Sequence, residues 1–254
     1  MKNLPFISLF CLILLLTTLE KSNAQGSRNF FTVSGGYSLP IGKYASERLS
    51  DPNYGLAGSG YFGQVAYEHR FLFWLGMRVS GNLTINKTNA GPIITRSQQY
   101  LDLVRPLLSN GDDTYTWTTD ASEWRVASAM AGPALYLYLG RVQLEGHVLG
   151  GYVLAQSPTI KVYGASSSGA NPVEGSLASS NSGKFGAGVG TSIKIPLSKH
   201  LSLQLAADLI GTHAEFDDLV LVGKIGSYPP QEQARTEKQL VSVVNLGAGF
   251  TIEF

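Results

Sequence analysis

Past its first two dozen residues the chain has no cysteine. The single one, Cys11, sits inside an apolar run, Leu4–Leu19. This excludes a disulfide framework, a thiol nucleophile and a thiolate metal site from everything downstream. Cys11 interrupts the run rather than following it, which excludes lipid attachment at the end of an export signal. Charge is also scarce: charged residues make up 15% of the sequence and the formal net charge is +1. Lys2, Glu20 and Lys21 precede residue 25, so from Gln25 onward the formal charge is zero. A neutral chain lacks the basic excess that nucleic-acid binding draws on. No second apolar run reaches the length of a spanning helix. No glycine-rich phosphate loop precedes a helix either, because Gly186, Gly188 and Gly190 are spaced as a strand row.

What is present begins with an export signal. A basic start (Met1–Asn3), the apolar run, and Ser22-Asn23-Ala24 before Gln25 have the pattern of a cleaved secretory peptide. Residues 1–24 are therefore expected to be a signal peptide and residues 25–254 one domain. Glycine is abundant, with 29 residues, all after residue 24. Such a content suits β-structure in which strands and side chains crowd a narrow interior.

Two-residue periodicity runs through the rest. In the last segment Leu240, Ser242, Val244, Leu246, Ala248, Phe250, Ile252 and Phe254 share one face, and Val241, Val243, Asn245, Gly247, Gly249, Thr251 and Glu253 the other. The first face suits lipid and the second a small, partly polar lumen. Segments 31–39, 61–70, 73–83, 142–154, 185–195 and 201–210 alternate in the same way. An eighth, 122–139, is assigned with Trp124, Val126, Met130, Ala134, Tyr136 and Tyr138 toward lipid and Arg125 toward the lumen. Pro133 there predicts a bulge.

The connections alternate. Three are short, around Arg70-Phe71, around Gly140-Arg141, and Pro196–His200. Four are long, roughly 40–57, 86–121, 156–182 and 214–236. This predicts an all-β fold: an eight-stranded antiparallel up-and-down transmembrane β-barrel with three short periplasmic turns and four long extracellular loops. The 156–182 loop, rich in Ser, Gly and Asn, is expected to be mobile. Ser97–Leu108 reads either as a short helix capped by Ser97 or as irregular loop. Aromatics near segment ends, including Tyr37, Tyr61, Phe73, Trp124 and Tyr152, fit interfacial girdles.

The stretch Leu246–Phe254 resembles the terminal assembly signal of outer-membrane barrels, an apolar alternation that ends in an aromatic. Gly36–Gly42 and Gly55–Tyr61 resemble the end of strand one and the start of strand two in small outer-membrane barrels of the Bacteroidetes type (OmpA-like or porin-like eight-stranded barrels). The resemblance spans most of residues 28–254. It implies an outer-membrane location, a monomer, contact with outer-membrane lipid and lipopolysaccharide, and handling by the barrel-assembly machinery through the strand ending at Phe254. It implies no shared chemistry.

The inferred lumen holds Glu68, Arg70, Arg78, Arg125, Glu145, His147, Lys194, Asp208 and Glu253. Charges in so narrow a space must be paired, so an interior salt-bridge network is expected. His147 and Glu145 share a face without a credible third metal ligand. His200-Leu201-Ser202 resembles the His-x-Ser pair of outer-membrane lipid A deacylases, but it falls at a periplasmic turn and no carboxylate is evident to orient His200. Asp112, Asp113, Asp120, Asp217 and Asp218 read as solvated loop residues. The sequons at Asn82 and Asn86 lie at a strand end and read as accidental. No residue is assigned a catalytic, cofactor or metal role. The expected function is a non-enzymatic barrel with a structural or surface-interaction role. The alternatives are an outer-membrane lipid-modifying enzyme and a soluble β-barrel binding a small apolar ligand.

Overall fold

The alternating segments form the strands they predict. A computed structural model describes residues 28–48, 54–95, 97–99, 114–167 and 172–254. Residues 1–24, expected to be a signal peptide, Asp112, Asp113 and most of Ser97–Leu108 lie outside that range; 91–95 and 97–99 are helical. The described residues form eleven strands: β1 (Asn29–Pro40), β2 (Ala57–Arg70), β3 (Leu75–Thr88), β4 (Tyr115–Ala121), β5 (Trp124–Leu139), β6 (Val142–Gln156), β7 (Ile160–Ser166), β8 (Val173–Leu177), β9 (Asn181–Pro196), β10 (Leu201–Ile225) and β11 (Gln231–Glu253).

Eight of them close a ring in the order β1-β2-β3-β5-β6-β9-β10-β11, and every pairing is antiparallel. The seam is β1 against β11, from Phe30↔Glu253 to Pro40↔Val243. Closure removes the sheet edges. Both ends of the ring segment and the connections 71–74, 140–141 and 197–200 lie at one end, the turn end; the long connections lie at the other, the loop end.

The two faces of the strands differ as the alternation requires. Val33, Val79, Val148, Val189 and Phe250 point out and are exposed, while Thr32, Arg78, Glu145, Lys194 and Thr251 point in and are buried. An outward surface of this kind is stable against hydrocarbon rather than water. Exposed aromatics mark its limits: Tyr37, Tyr61, Tyr152 and Phe185 toward the loop end, Phe71, Phe73 and Phe254 toward the turn end. Tyr37 and Tyr61 face each other across β1 and β2 with ring centroids 5.4 Å apart. Ten residues separate Tyr61 from Phe71, which is ~33 Å of strand, or ~25 Å of height at the usual barrel tilt of ~40°.

Strand β5 corrects one expectation. Trp124, Val126, Met130, Ala134 and Tyr136 point inward and are buried, and Tyr138 shares that face at the turn-end mouth, donating to Gln143 at 3.0 Å, whereas Arg125 is exposed on the outside. Both faces of this strand are largely apolar, Ala129, Ala131 and Leu135 outside as well as Trp124, Val126 and Met130 inside, so hydrophobicity does not separate them. Nor does Pro133 make a bulge. Ala131↔Gly150 and Ala134↔His147 keep one register, and Met77↔Pro133 continues the ladder on the other side.

The long connections are also more regular than expected. Strands β10 and β11 continue well past the ring as one hairpin, paired to Gly223↔Gln231. A β-bulge between Phe216 and Leu219 places Asp218 at φ 60°, a left-handed conformation that aspartate tolerates better than most residues. The 156–182 connection contains β7 and β8, and the 86–121 connection contains β4. These add to the hairpin as β10-β8-β7-β4, forming an outer sheet above the ring.

Candidate functional site

The interior gathers its charges toward the turn end, while toward the loop end apolar side chains mix with uncharged polar ones such as Ser38, Thr84 and Asn86. Toward the turn end, Glu68 on β2 receives Arg78 from β3 at 2.5 Å and Lys194 from β9 at 2.5 Å. Glu145 on β6 receives the same two cations at 3.0 and 2.9 Å. His147 bridges Glu145 (Nδ1, 3.1 Å) and Asp208 on β10 (Nε2, 2.9 Å). Gln64 donates to Asp208 at 3.1 Å, and Tyr136 donates to Glu68 at 3.2 Å. Arg78 and Glu68 have no solvent exposure at all, so each charge survives only through its partners. Nearer the turn end Thr32, Gln204 and Thr251 bond one another across β1, β10 and β11.

The sequence placed these charges correctly, Arg125 excepted. In the ring β2 and β9 are four steps apart, hence opposite. The Glu68–Lys194 contact therefore crosses the full lumen and closes it. Gly190 explains why the glycine row is there. A methyl group at this position would collide with the Asp208 carboxylate and the His147 ring.

Toward the loop end the filling changes to Met130, Leu149, Val153, Ile210, Val241 and Val243. The β1–β2 connection folds into the mouth: a short 3-10 helix, Gly42–Ala45, buries Tyr44 against the edge of Trp124, centroids 5.1 Å apart. Burial pushes the Tyr44 phenol well above the usual tyrosine range, and its hydroxyl has no hydrogen-bond partner among the described residues. Trp124 also packs on Phe216 at 5.7 Å.

Above this floor lies a cavity of about 570 Å³. Its far wall is the inner face of the outer sheet: Trp117 from β4, Ile160 and Val162 from β7, Val173, Gly175 and Leu177 from β8, and Leu221 and Ile225 from β10. The opposite face of that sheet carries Lys161, Tyr163, Glu174 and Lys224. The sheet is thus amphipathic, with its apolar side turned inward. At the rim Glu215 accepts Lys184 at 2.9 Å and Lys238 at 3.1 Å. The Lys184 hydrogen bond, with Lys238 beside it, holds the Glu215 carboxyl below its ordinary range.

The cavity was missed in the sequence, although its signal was there. Ile160-Lys161-Val162-Tyr163 alternates, Leu219–Val222 is an unbroken apolar, β-branched-rich run, and Thr116-Trp117-Thr118-Thr119 is rich in strand formers. Serine and glycine nearby masked it. The other sequence candidates do not assemble. His200 Nδ1 lies 3.2 Å from the backbone oxygen of Glu253, and Ser202 donates to the Glu253 carboxylate at 2.7 Å, so the two are not hydrogen-bonded to each other. Among the described residues no group of three or more His, Cys, Asp or Glu is placed to hold a metal ion.

No protein-family model and no curated protein matches the chain. Among solved structures it overlaps Neisserial surface protein A at 13% identity and TM-score 0.43, covering 91% of this chain and 100% of that one. It overlaps a major outer membrane protein from Thermus thermophilus at 12% and 0.45, covering 90% and 100%. It overlaps Ail, the attachment invasion locus protein of Yersinia pestis, at 14% and 0.39, covering 88% and 99%. Likeness at this distance carries no argument about activity or ligand; the barrel rests on the strand pairings themselves.

Proposed function

We propose that the chain is a non-enzymatic protein of the outer membrane, closed to conduction, that acts through its loop end. The contact between Lys194 and Glu68 across the full width of the ring carries this reading. Eight strands leave an interior that side chains can fill, and here ion pairs fill it. The apolar outer band with aromatic limits supports immersion in lipid, and it argues against a soluble barrel. In that setting the loop end, with its added sheet, faces outward and the turn end faces the periplasm. Outer-membrane lipid and lipopolysaccharide surround the barrel. The assembly machinery engages β11, whose exposed Leu246, Phe250, Ile252 and Phe254 form its outward face. A monomer suffices, since the ring is complete within one chain. The divergent bonding of His200 and Ser202 supports the non-enzymatic reading over lipid hydrolysis.

The test pairs two measurements. Outer-membrane fractions are run unboiled and boiled on SDS gels, and purified protein is placed in planar bilayers. A heat-dependent shift with no stable conductance is the expected result. Steady ion-conducting channels would overturn the closed-barrel reading, and recovery as a soluble protein without a shift would overturn the membrane reading.

A further inference from the structure

We infer that the cavity at the loop end is a binding site for an uncharged apolar molecule or chain. The inference deepens the proposed role of the loop end and rests on it only for which side of the membrane the cavity faces.

Four observations carry it. The first is size. About 570 Å³ falls within the ~300–1,000 Å³ typical of small-molecule sites. The second is the wall. One complete face of the outer sheet, from Trp117 to Ile225, is apolar and turned toward the space, while its charged face is turned away. An amphipathic sheet of this kind normally packs its apolar side on a core. Here that side lines open volume instead.

The third observation is that the polar groups near the cavity are largely engaged. Ser157 Oγ accepts the Ser180 N–H at 2.8 Å and donates to the Ser180 carbonyl at 3.3 Å. The Trp124 indole N–H is bound to the Gly55 carbonyl oxygen at 2.9 Å. Water held in such a space needs two to four polar partners, and these groups offer few. No lysine or arginine lines it, and Glu237 is the one charged residue of the lining among the described residues. A carboxylate or phosphate would meet no cation there, and a cation would meet only Glu237, which is exposed and screened by solvent, so the wall selects a neutral occupant.

The fourth is preorganisation. Trp117 lies opposite Gly164 across β4 and β7, and a methyl group at 164 would stand 2.9 Å from the indole ring. The absent side chain lets the ring lie over β7, fixing one aromatic wall. Trp124 and Phe216 form another at the floor.

Neutral apolar chemistry has two sources, a free molecule arriving from outside or the acyl chain of a membrane lipid. The chain's tryptophans allow a direct test. It has three. Trp74 lies exposed in the turn-end connection, and both others line the cavity. W74F therefore leaves a reporter confined to the site. The protein is assembled in lipid nanodiscs, because a detergent would compete, and titrated with 1-bromooctane, whose bromine quenches indole on contact. The expected result is saturable quenching that excess octane reverses.

Gly175 supplies a block. It faces Val162 across β7 and β8 with space at its Cβ position, so G175F projects a ring into the cavity. It should raise the half-saturating concentration at least tenfold while the heat-dependent gel shift is retained. Quenching that rises linearly, that octane does not relieve, and that is the same in G175F would overturn the inference. Octane reversal needs no cavity variant, so the test stands even if G175F fails to fold. Nanodiscs made with bromine-chain phosphatidylcholine and no added ligand separate the sources. Quenching that G175F relieves assigns the occupant to a lipid chain, and full emission assigns it to a free molecule. Saturable binding would stand even if the bilayer measurement revealed conductance, so the two readings fail separately.

Discussion

The indole N–H of Trp124, on β5, donates to the backbone oxygen of Gly55, in the connection between β1 and β2, at 2.9 Å. One hydrogen bond thereby ties a long connection to the inner wall of the barrel three strands away. W124F keeps most of the ring and loses the donor, leaving a buried carbonyl oxygen unpaired. It should cost ~1–3 kcal/mol. W124A also removes the ring that touches Tyr44 and Phe216 and should cost ~3–5 kcal/mol. Urea unfolding from phospholipid vesicles measures both: no cost for W124F would show that the hydrogen bond contributes nothing, and equal costs would show the same of the ring contacts.

The same method tests the ion cluster. R78M leaves Glu68 and Glu145 short of one cation in a dry interior and should destabilise by ~3–5 kcal/mol. K194M combined with E68Q should cost clearly less than the two single changes added together, because the groups act as one unit. Additive costs would mean that the opposite walls are not coupled.

Tyr44 offers the reverse expectation. Its buried hydroxyl has no partner among the described residues, and an unpaired hydroxyl costs ~1–3 kcal/mol in mutational data. Y44F should therefore raise stability by up to about that amount. A loss in urea unfolding would mean that the hydroxyl is bonded in the membrane-embedded protein.

Strand β5 can be checked by labelling. The only cysteine is Cys11, so single-cysteine variants report cleanly. R125C, on the outer side, should react with a membrane-impermeant maleimide, and V126C, inside, should react at least tenfold more slowly. The opposite order would restore the face assignment made from the sequence.

Legibility followed contrast. Where one face of a strand was apolar and the other charged or glycine-rich, as in β9 with Val189, Ile193 and Ile195 against Gly190, Ser192 and Lys194, the sequence showed both the strand and its orientation. In β5 the contrast vanishes. Met130 and Val126 face inward, Leu135 and Leu137 face outward, and periodicity gives the strand without its sidedness. The buried charges were readable because a charge on the inner face has nowhere else to go. Which pairs would form was not readable, since Glu68 and Lys194 meet only after the three strands between them on either side are in register. The cavity was hidden for a related reason. Its wall comes from β4, β7, β8 and β10, each contributing one to three apolar residues, too few in any one segment to stand out from the polar chain around them.

The seam between β1 and β11 has a consequence for how the ring is made. The other ring pairings join strands that follow one another along the chain, apart from those that step over the outer-sheet strands. The seam alone joins residues more than two hundred positions apart, such as Phe30 and Glu253. Contacts so distant in sequence carry the largest closure entropy and form slowly. A sheet curling from its local hairpins would keep both margins unpaired until its two ends met. Assembly would then finish at the strand ending in Phe254, and time spent before that meeting would be the interval in which the chain could pair with a stranger.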